Sequence, residues 1–393
     1  MARWQEVLAG LTSNVEDQFD TLKFRLKERL GSDDPVQIVP YHGYGSRERV
    51  FLRGRVLEDE GIAAADENDR LWDNLLNMYR RLESDEIPHA RLRLHFAGVS
   101  EEVVADEEGF FATWLDLPEL LPAGQLWHQA EWELLSPRRE DQGAVRATGH
   151  VMVAPATARF GVISDIDDTV MQSHATDLVR MARLTFLGNA RTRLPFPGVA
   201  AFYRALQGGT GPDVENVLFY LSSSPWNLYD LLHDFFRLQD IPVAPTFLRD
   251  WGLTAQELLP TEHHGYKLEA LRTILDFYED LPFILIGDSG QEDPEIYHEI
   301  VHEYPGRIMA VYIRDVSPEE RDEAVRALAE EVAAAQSTLV LAEDTLAMAR
   351  HAAEQGWIAP EMLAHVEAAI AENAQAPTPV EALLEQDEDE AAA

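Results

Sequence analysis

Three aspartates, Asp165, Asp167 and Asp168, follow directly after an apolar segment that begins at Phe160. Carboxylates this close together repel one another strongly unless a cation holds them. Aspartate also caps helices, and for this cluster alone a helix cap and a cation site are about equally good interpretations. The polar residues that follow the other apolar segments are therefore needed to distinguish a helix cap from a cation site.

Two further polar groups follow apolar segments later in the chain. Ser222 and the two serines after it follow residues 217–221, and their hydroxyl and N–H groups can hold a phosphoryl oxygen, although serine is also a common helix cap. Asp288 and Asp293 follow residues 282–286 and lie five positions apart. Hard oxygen ligands of this kind suit Mg²⁺.

The lysine at position 267 is unusual in this chain. Only three of the 32 basic residues are lysines, namely Lys23, Lys27 and Lys267, and all the others are arginines. A solvated surface lysine is the ordinary interpretation. However, lysine supplies a compact point charge that arginine does not, so this single lysine at the start of a predicted helix suggests a site that needs one.

Ligands gather at the carboxyl ends of the strands in a parallel sheet, so four such signals in this order indicate one site. Together they resemble the motifs of the haloacid dehalogenase superfamily: Asp-x-Asp-x-Thr, a strand-end Ser or Thr, a Lys, and Gly-Asp with a second Asp. More narrowly, residues 165–169, 195–199, 222–226 and 287–297 are similar to the actin-patch-protein type of phosphatidate phosphatase. The resemblance extends more loosely to the β-rich segment before them.

The resemblance implies catalytic and phosphate-binding roles for five residues. Asp165 would be the nucleophile that forms an aspartyl-phosphate, and Asp167 would be the general acid and base. Thr169 would lie beside the phosphate and orient Asp167. Ser222 and Lys267 would hold the phosphoryl oxygens, with Lys267 balancing the charge that builds up in the transition state.

The resemblance also implies a bound Mg²⁺ ion. Its ligands would be Asp165, the backbone carbonyl of Asp167, and Asp288, with Asp293 binding directly or through water. The ion would clamp the phosphate and reduce its repulsion from the nucleophile.

The function implied is that of a Mg²⁺-dependent phosphomonoesterase that converts phosphatidate to diacylglycerol and phosphate at a membrane surface. One alternative is the same chemistry on a soluble metabolite or a phosphoprotein. Another is a non-catalytic scaffold that binds an unidentified protein partner. The four intact motifs argue against this scaffold interpretation.

The segments between the motifs bear on substrate size. Neither 169–222 nor 222–267 is long enough to contain a separate cap domain, and an uncapped site suits a bulky substrate such as a lipid headgroup or a phosphoprotein. Arg183, Arg191 and Arg193 lie in the first segment. They could meet a second anionic group, although solvated arginines on a helix face are the better interpretation, by roughly two to one.

A competing motif, His-Glu-x-x-His, spans residues 298–302 and matches a zinc protease signature. Such a site needs a long helix and a third ligand. Here Pro305 ends the predicted helix, and Ile296, Ile300, Val301 and Tyr304 form its predicted buried face. We therefore interpret the match as chance.

Composition excludes several functional classes. The 393 residues carry a formal net charge of -38, so the average field repels nucleic acid and anionic membranes. The chain has no cysteine, which excludes disulfides and thiolate chemistry. No apolar run approaches the roughly 20 residues of a transmembrane helix, and the N-terminus does not resemble a signal peptide. We expect a cytoplasmic protein, peripheral to a membrane if its substrate is a lipid.

Hydrophobic periodicity predicts four parts of the chain. Residues 1–34 form an amphipathic helix, and residues 35–156 form an antiparallel β-sandwich with one helix near 71–82. Residues 157–358 form an α/β domain in which helices cover both faces of a parallel sheet, and the resemblance implies that this is a phosphatase domain of the Rossmann-like haloacid dehalogenase type. Residues 359–393 form a helix and a disordered acidic tail.

Overall fold

Two β-sheets and seven helices make up the described part of the chain. The computed structural model describes residues 35–59, 86–139, 142–171, 195–211, 213–249, 261–317 and 319–373. The predicted helices at 1–34 and 71–82, the acidic tail and the arginines at 183, 191 and 193 lie outside these residues.

The first sheet contains seven strands in the order β4-β3-β6-β7-β1-β2-β5. Buried and more exposed side chains alternate along strands such as the sixth, as the period of two predicts. The strands are β1 Val36–Gly45, β2 Arg49–Glu58, β3 Arg91–Phe96, β4 Val99–Val104, β5 Phe110–Asp116, β6 Trp127–Ser136 and β7 Arg146–Val153.

The first sheet differs from the predicted antiparallel β-sandwich in two ways. All neighbouring strands are antiparallel except β1 and β7, which run parallel. The strands also form one sheet, whose edge strands β4 and β5 are joined by a 2.9 Å hydrogen bond from Thr113 Oγ1 to Glu101 Oε1. The sheet curls around its own core, which includes Phe111 and Trp132, so no second sheet is needed to cover that face.

The second sheet is parallel throughout, in the order β10-β9-β8-β11-β12-β13. Five of its strands match the apolar segments that the sequence pattern predicts as strands, namely 160–164, 217–221, 282–286, 308–313 and 338–342, whereas the short edge strand β10 was not predicted. The strand β9 also continues through the three serines to Pro225. The strands are β8 Gly161–Asp165, β9 Val217–Pro225, β10 Thr246–Arg249, β11 Phe283–Asp288, β12 Ile308–Arg314 and β13 Leu339–Ala342.

Helices cover both faces of the second sheet, which confirms the prediction of a buried parallel sheet. One apolar cluster joins one face to α1, α2, α6 and α7, and another joins the opposite face to α3, α4 and α5. None of the helices described here is long and apolar enough to cross a membrane. The helices are α1 Val199–Gly208, α2 Tyr229–Leu238, α3 Thr261–Phe277, α4 Asp293–Glu303, α5 Glu319–Ala334, α6 Thr345–Glu354 and α7 Glu361–Asn373.

The start of α3 corrects one prediction. Lys267 was expected to begin a helix, but α3 begins at Thr261 and contains Lys267 and Gly265 in its interior. A glycine inside a helix costs about 1 kcal/mol relative to alanine. The burial of Leu271, Ile274 and other residues of α3 against the second sheet offsets this cost.

Aromatic side chains of β1 join the two sheets. Tyr44 is 2% exposed, and its ring lies 5.9 Å from Phe219, 5.7 Å from Phe247 and 5.6 Å from Phe277. Tyr41 stacks on Trp226 at 4.6 Å. The first sheet therefore packs directly against the strands and helices of the second.

We expect Tyr44→Ala to reduce the free energy of unfolding by about 3–5 kcal/mol, because it removes a large buried ring from this junction. Urea denaturation of the full chain measures the change. Leu120→Ala is the control, since Leu120 is 57% exposed and its loss should cost less than about 0.5 kcal/mol. Equal effects of the two substitutions would contradict this account of the junction.

Candidate active site

The order of strands in the second sheet brings the predicted site residues together. The strand β8 lies between β9 and β11, so Asp165 at the end of β8 has Ser222 in one neighbouring strand and Asp288 at the end of the other. Asp293 is the first residue of α4, directly after that strand end. These residues converge on the carboxyl edge of the sheet, where ligands of parallel sheets bind.

Lys267 forms the centre of the cluster. Its Nζ lies 2.6 Å from Asp165 Oδ1 and 2.5 Å from Asp293 Oδ1. The lysine is 3% exposed, and both carboxylates are also buried. Ion pairs this deeply buried are strongly destabilised when one partner is removed, so the lysine and the two aspartates depend on one another.

Gly287 allows Asp293 to approach the end of β11. The other carboxylate oxygen of Asp293, Oδ2, accepts a 3.2 Å hydrogen bond from the backbone N–H of Asp288. A Cβ atom at position 287 would lie 2.5 Å from that oxygen and 2.8 Å from the ring of Tyr297. Glycine is therefore required here for steric reasons.

Asp288 is held by the loop that follows it. Its Oδ1 accepts hydrogen bonds from the N–H groups of Gly290 and Gln291, at 2.7 Å and 3.0 Å. The amide nitrogen of the Gln291 side chain lies 3.3 Å from Asp288 Oδ2 and 3.5 Å from the carbonyl oxygen of Asp167. The side-chain amide of Gln291 thus donates hydrogen bonds to two of the oxygens that were predicted to be metal ligands.

The carboxylates fit a divalent cation. One oxygen from each of Asp165, Asp288 and Asp293 lies within 4.8 Å of the others. Asp165 Oδ2 is buried and has no hydrogen-bond partner among the described residues. With all groups ionised, three carboxylates and the Lys267 ammonium leave two negative charges. The acidic triad could therefore bind a metal ion.

Burial controls the protonation of these acids. It raises the pKa of Asp165 well above the ordinary value, against the opposing charge of Lys267 and with the support of the neighbouring aspartates. Burial and the charge of Asp293 raise the pKa of Asp288 to about 8. Burial alone would lower the pKa of Lys267, but Asp165 and Asp293 raise it above its ordinary value. A cation that binds here has to displace protons.

Asp167 lies in the loop after β8, where Asp167 Oδ2 accepts a 2.9 Å hydrogen bond from Ser222 Oγ. The same serine oxygen accepts a 3.0 Å hydrogen bond from the N–H of Ser224. The Thr169 hydroxyl is buried and makes no hydrogen bond with Asp167 or any other described residue. The predicted orienting role of Thr169 therefore stays a prediction.

Asp168 has a conformational role in the same loop. Its φ of 55° lies in the left-handed region, which aspartate and asparagine tolerate better than most other residues. The N–H groups of Val170 and Met171 then turn back to the carbonyl of Ile166. The left-handed conformation of this loop therefore explains why an aspartate is suited to position 168.

Sequence reasoning missed Gln291 and a buried arginine, Arg314, at the end of β12. Arg314 Nε donates a 3.1 Å hydrogen bond to the carbonyl of Thr169, and its other nitrogen NH2 donates to Thr345 Oγ1 at 3.1 Å. Burial lowers the pKa of this arginine to about 10. Its position directly after the predicted strand 308–313 was the signal that could have found it.

The histidines of the zinc-like motif do not form a metal site in this structure. His298 Nε2 lies 2.7 Å from Glu331 Oε2, and His302 Nδ1 lies 2.9 Å from the backbone carbonyl of His298. Glu299 forms an ion pair with Arg272 at 3.0 Å. Within the described ranges, the acidic triad is the only group of metal-ligating side chains that converges on one point.

Residues 160–315 of the chain match a known family model. The family model that matches them is described as Phosphatidate phosphatase APP1, catalytic domain. The narrower resemblance, to the phosphatidate phosphatases, is therefore confirmed as a similarity of this part of the chain.

Two relatives from yeasts match a similar part. Phosphatidate phosphatase APP1 of Saccharomyces cerevisiae is 32% identical over 157 residues, which are 39% of this chain and 26% of that protein. An uncharacterized protein of Schizosaccharomyces pombe is 29% identical over 186 residues, 47% of this chain and 29% of its own length. The chain thus spans little more than a quarter of either relative.

Solved structures add nothing to this comparison. A β-glucuronidase of Parabacteroides merdae, for example, is 8% identical, covers 75% of this chain and 38% of its own, and has a TM-score of 0.25. A likeness this low supports no statement about the present chain.

We expect Gly287→Ala to lower the free energy of unfolding by about 1–3 kcal/mol, because the added methyl group would overlap the Asp293 carboxylate. Urea denaturation in the absence of divalent metal measures the change. Gly208→Ala is the matched control, since a Cβ there meets no atom within 4 Å. If both variants unfold at the same urea concentration, the steric explanation for Gly287 is wrong.

The raised pKa of Asp288 predicts a pH dependence of stability. Between the ordinary value of 3.8 and about 8 the folded chain holds a proton that the unfolded chain releases, so stability falls as pH rises through this interval. Between pH 5 and 7, metal-free wild type should lose up to about 1.4 kcal/mol more per pH unit than Asp288→Asn. Denaturation curves across this range test it, with exposed Asp280→Asn as the control. Equal slopes in wild type and Asp288→Asn would contradict the prediction.

Proposed function

We propose that this chain is a Mg²⁺-dependent phosphomonoesterase that hydrolyses phosphatidate to diacylglycerol and phosphate. The observation that carries the proposal is the buried Lys267 ammonium between Asp165 and Asp293, beside Asp288. This arrangement lies within the residues that match a phosphatidate phosphatase catalytic domain.

The proposal includes a fold and a division of the chain. The second sheet and helices α1 to α6 are a haloacid dehalogenase-type domain at about residues 157–358, and the first sheet is a separate domain at 35–156. Support comes from the order of the parallel strands and from Asp165 at the end of the central strand β8. A cytoplasmic location stays a prediction.

Mg²⁺ is the proposed metal because the ligands are hard carboxylate oxygens. Asp165, Asp288 and the carbonyl of Asp167 would hold it, with Asp293 directly or through water. When bound, the ion would supply positive charge that offsets the charge of the phosphoryl oxygens and reduces their repulsion of the Asp165 carboxylate. The unpartnered Oδ2 of Asp165 supports this ligand set.

Asp165 is the proposed nucleophile. A carboxylate oxygen attacks phosphorus, the bond from phosphorus to the ester oxygen breaks, and an aspartyl-phosphate forms. The Lys267 ammonium, held against this carboxylate at 2.6 Å, balances the charge that builds on the phosphoryl oxygens. Lysine suits this position because its compact charge can contact two carboxylates and a phosphoryl oxygen at once.

Asp167 is the proposed general acid and base. It gives a proton to the departing alkoxide and then takes one from the water that cleaves the aspartyl-phosphate, which regenerates Asp165. The hydrogen bond from Ser222 supports the role, because it fixes the Asp167 carboxyl beside the strand that carries Asp165. Ser222 and Thr169 complete the proposed phosphate pocket.

A soluble phosphate or a phosphoprotein is the second candidate substrate. The observation that favours it is the net charge of -38, because juxtamembrane basic residues each contribute about 1 kcal/mol at an anionic membrane. Both candidates share the same chemistry at phosphorus, so one assay separates them.

We expect Asp165→Asn to lower kcat by at least about 1,000-fold, because the amide cannot act as the nucleophile. The assay measures phosphate release with Mg²⁺ from p-nitrophenyl phosphate and from phosphatidate in mixed micelles. Asp280→Asn, at an exposed position, should retain wild-type rates. Activity that survives Asp165→Asn, or that persists in a chelator, would overturn the mechanism. Turnover of the soluble ester alone would keep the mechanism and replace the lipid substrate.

A further inference from the structure

A groove of about 560 Å³ lies at the junction of the two sheets. Its walls include Arg53 from β2, Trp226 from the turn after β9, Phe247 and Arg249 from β10, and Tyr266 from α3. Pockets of this size and largely apolar character are typical of sites for small organic molecules.

The groove is next to the proposed active site. Trp226 follows Ser222 by four residues, and Tyr266 directly precedes Lys267. The two elements that position the proposed phosphate-binding side chains therefore also form two of its walls.

Arg53 is the group that defines the chemistry of the groove. One guanidinium nitrogen donates a 2.6 Å hydrogen bond to the carbonyl of Thr246, and the guanidinium carbon lies 4.2 Å from the ring of Trp226 and 4.8 Å from that of Phe247. Its Nε is buried and makes no hydrogen bond with any described residue.

No carboxylate among the described residues forms an ion pair with Arg53. Burial lowers its pKa, and the groups that oppose this effect are tyrosine hydroxyls, with Tyr266 first. A partly buried cation that lacks a counter-ion is costly unless a ligand supplies the opposite charge.

Two further charged side chains line the groove. Arg249 is 8% exposed and lies at the end of the edge strand β10. Glu269 is exposed on α3 and is the acidic residue in the groove wall. Because the net charge of the chain is -38, an anionic group has to be met by a local cation such as Arg53.

We propose that this groove binds a second oxyanion on the leaving group of the phosphomonoester, held by Arg53, with the adjoining carbon chain on the aromatic walls. The inference rests on the proposed phosphomonoesterase chemistry but favours a substrate with a second anionic group over phosphatidate itself. A lipid with both a phosphomonoester and a phosphodiester carries this chemistry, and so does a soluble bisphosphate. Phosphatidate lacks a second oxyanion, because its leaving group carries only neutral acyl esters.

Binding of non-hydrolysable analogues tests the groove without depending on turnover. Isothermal titration calorimetry of the full chain with Mg²⁺ compares alkane-α,ω-bisphosphonates of increasing length with alkylphosphonates of the same lengths. We expect one length at which the bisphosphonate binds at least about tenfold more tightly, the size of one charge-assisted hydrogen bond. In Arg53→Gln the ratio of the two dissociation constants should fall to about one.

A second variant keeps the test decisive if Arg53→Gln folds poorly. Glu269→Gln removes the opposing charge from an exposed helix position and should tighten bisphosphonate binding about twofold or more. The matched control, Glu279→Gln, removes an equally exposed carboxylate outside the groove and should change nothing. Equal affinities for bisphosphonates and monophosphonates at every length would overturn the proposal, as would a bisphosphonate preference unaffected by both Arg53→Gln and Glu269→Gln.

Turnover assays distinguish a lipid ligand from a soluble one. They also distinguish failure of the groove proposal from failure of the proposed phosphatase function. Faster hydrolysis of phosphatidylinositol 4-phosphate in micelles than of phosphatidate supports a lipid headgroup, and faster hydrolysis of an alkanediol bisphosphate than of its monophosphate supports a soluble substrate. If none of the tested phosphomonoesters is hydrolysed, the proposed phosphatase function is wrong. The bisphosphonate preference would still test anion binding in the groove.

Discussion

The contact of one lysine with two aspartates is the constraint on which the site depends. Asp165 and Asp293 come from a strand end and a helix start that are far apart in the chain, and Lys267 comes from a third element. Buried like charges repel one another strongly at low local polarity. The parallel sheet, the missing side chain at Gly287 and the single compact ammonium are all needed before these carboxylates can share one place.

The sequence was informative wherever a polar residue followed a continuous apolar run. Asp165, Asp288 and Ser222 could be assigned to neighbouring strand ends because buried parallel strands have that pattern and their ends meet at one edge. Periodicity does not say which distant groups will meet, so Gln291 beside Asp288 and Arg314 beneath Thr169 were missed. The four-residue strand β10 was too short for a periodic signal, and the pairing of edge strands in the first sheet depends on curvature that no single segment encodes.

The first sheet contributes to the neighbourhood of the site as well as to stability. Its strand β1 supplies Tyr41 and Tyr44 to the apolar clusters of the second sheet, and its strand β2 supplies Arg53 to the groove. The match to the catalytic family covers residues 160–315 and leaves Arg53 outside. Under the proposed function, chains that share the proposed catalytic residues can therefore differ in the leaving group that they accept, according to what packs against this edge.

Arg314 makes the two sides of the site mechanically unequal. Its guanidinium joins the loop after β8 to the start of α6 through Thr169 and Thr345, and it lies 4.0 Å from the ring of Phe196. Displacing that loop would leave a buried cation without its partners, which is costly, so Arg314 holds the loop next to the proposed nucleophile in place. On the opposite side, most of the residues that line the groove have large side chains. Under the proposed function, adaptation to leaving groups of different shape would therefore come from rotamer changes in the groove, while the position of Asp165 stays fixed.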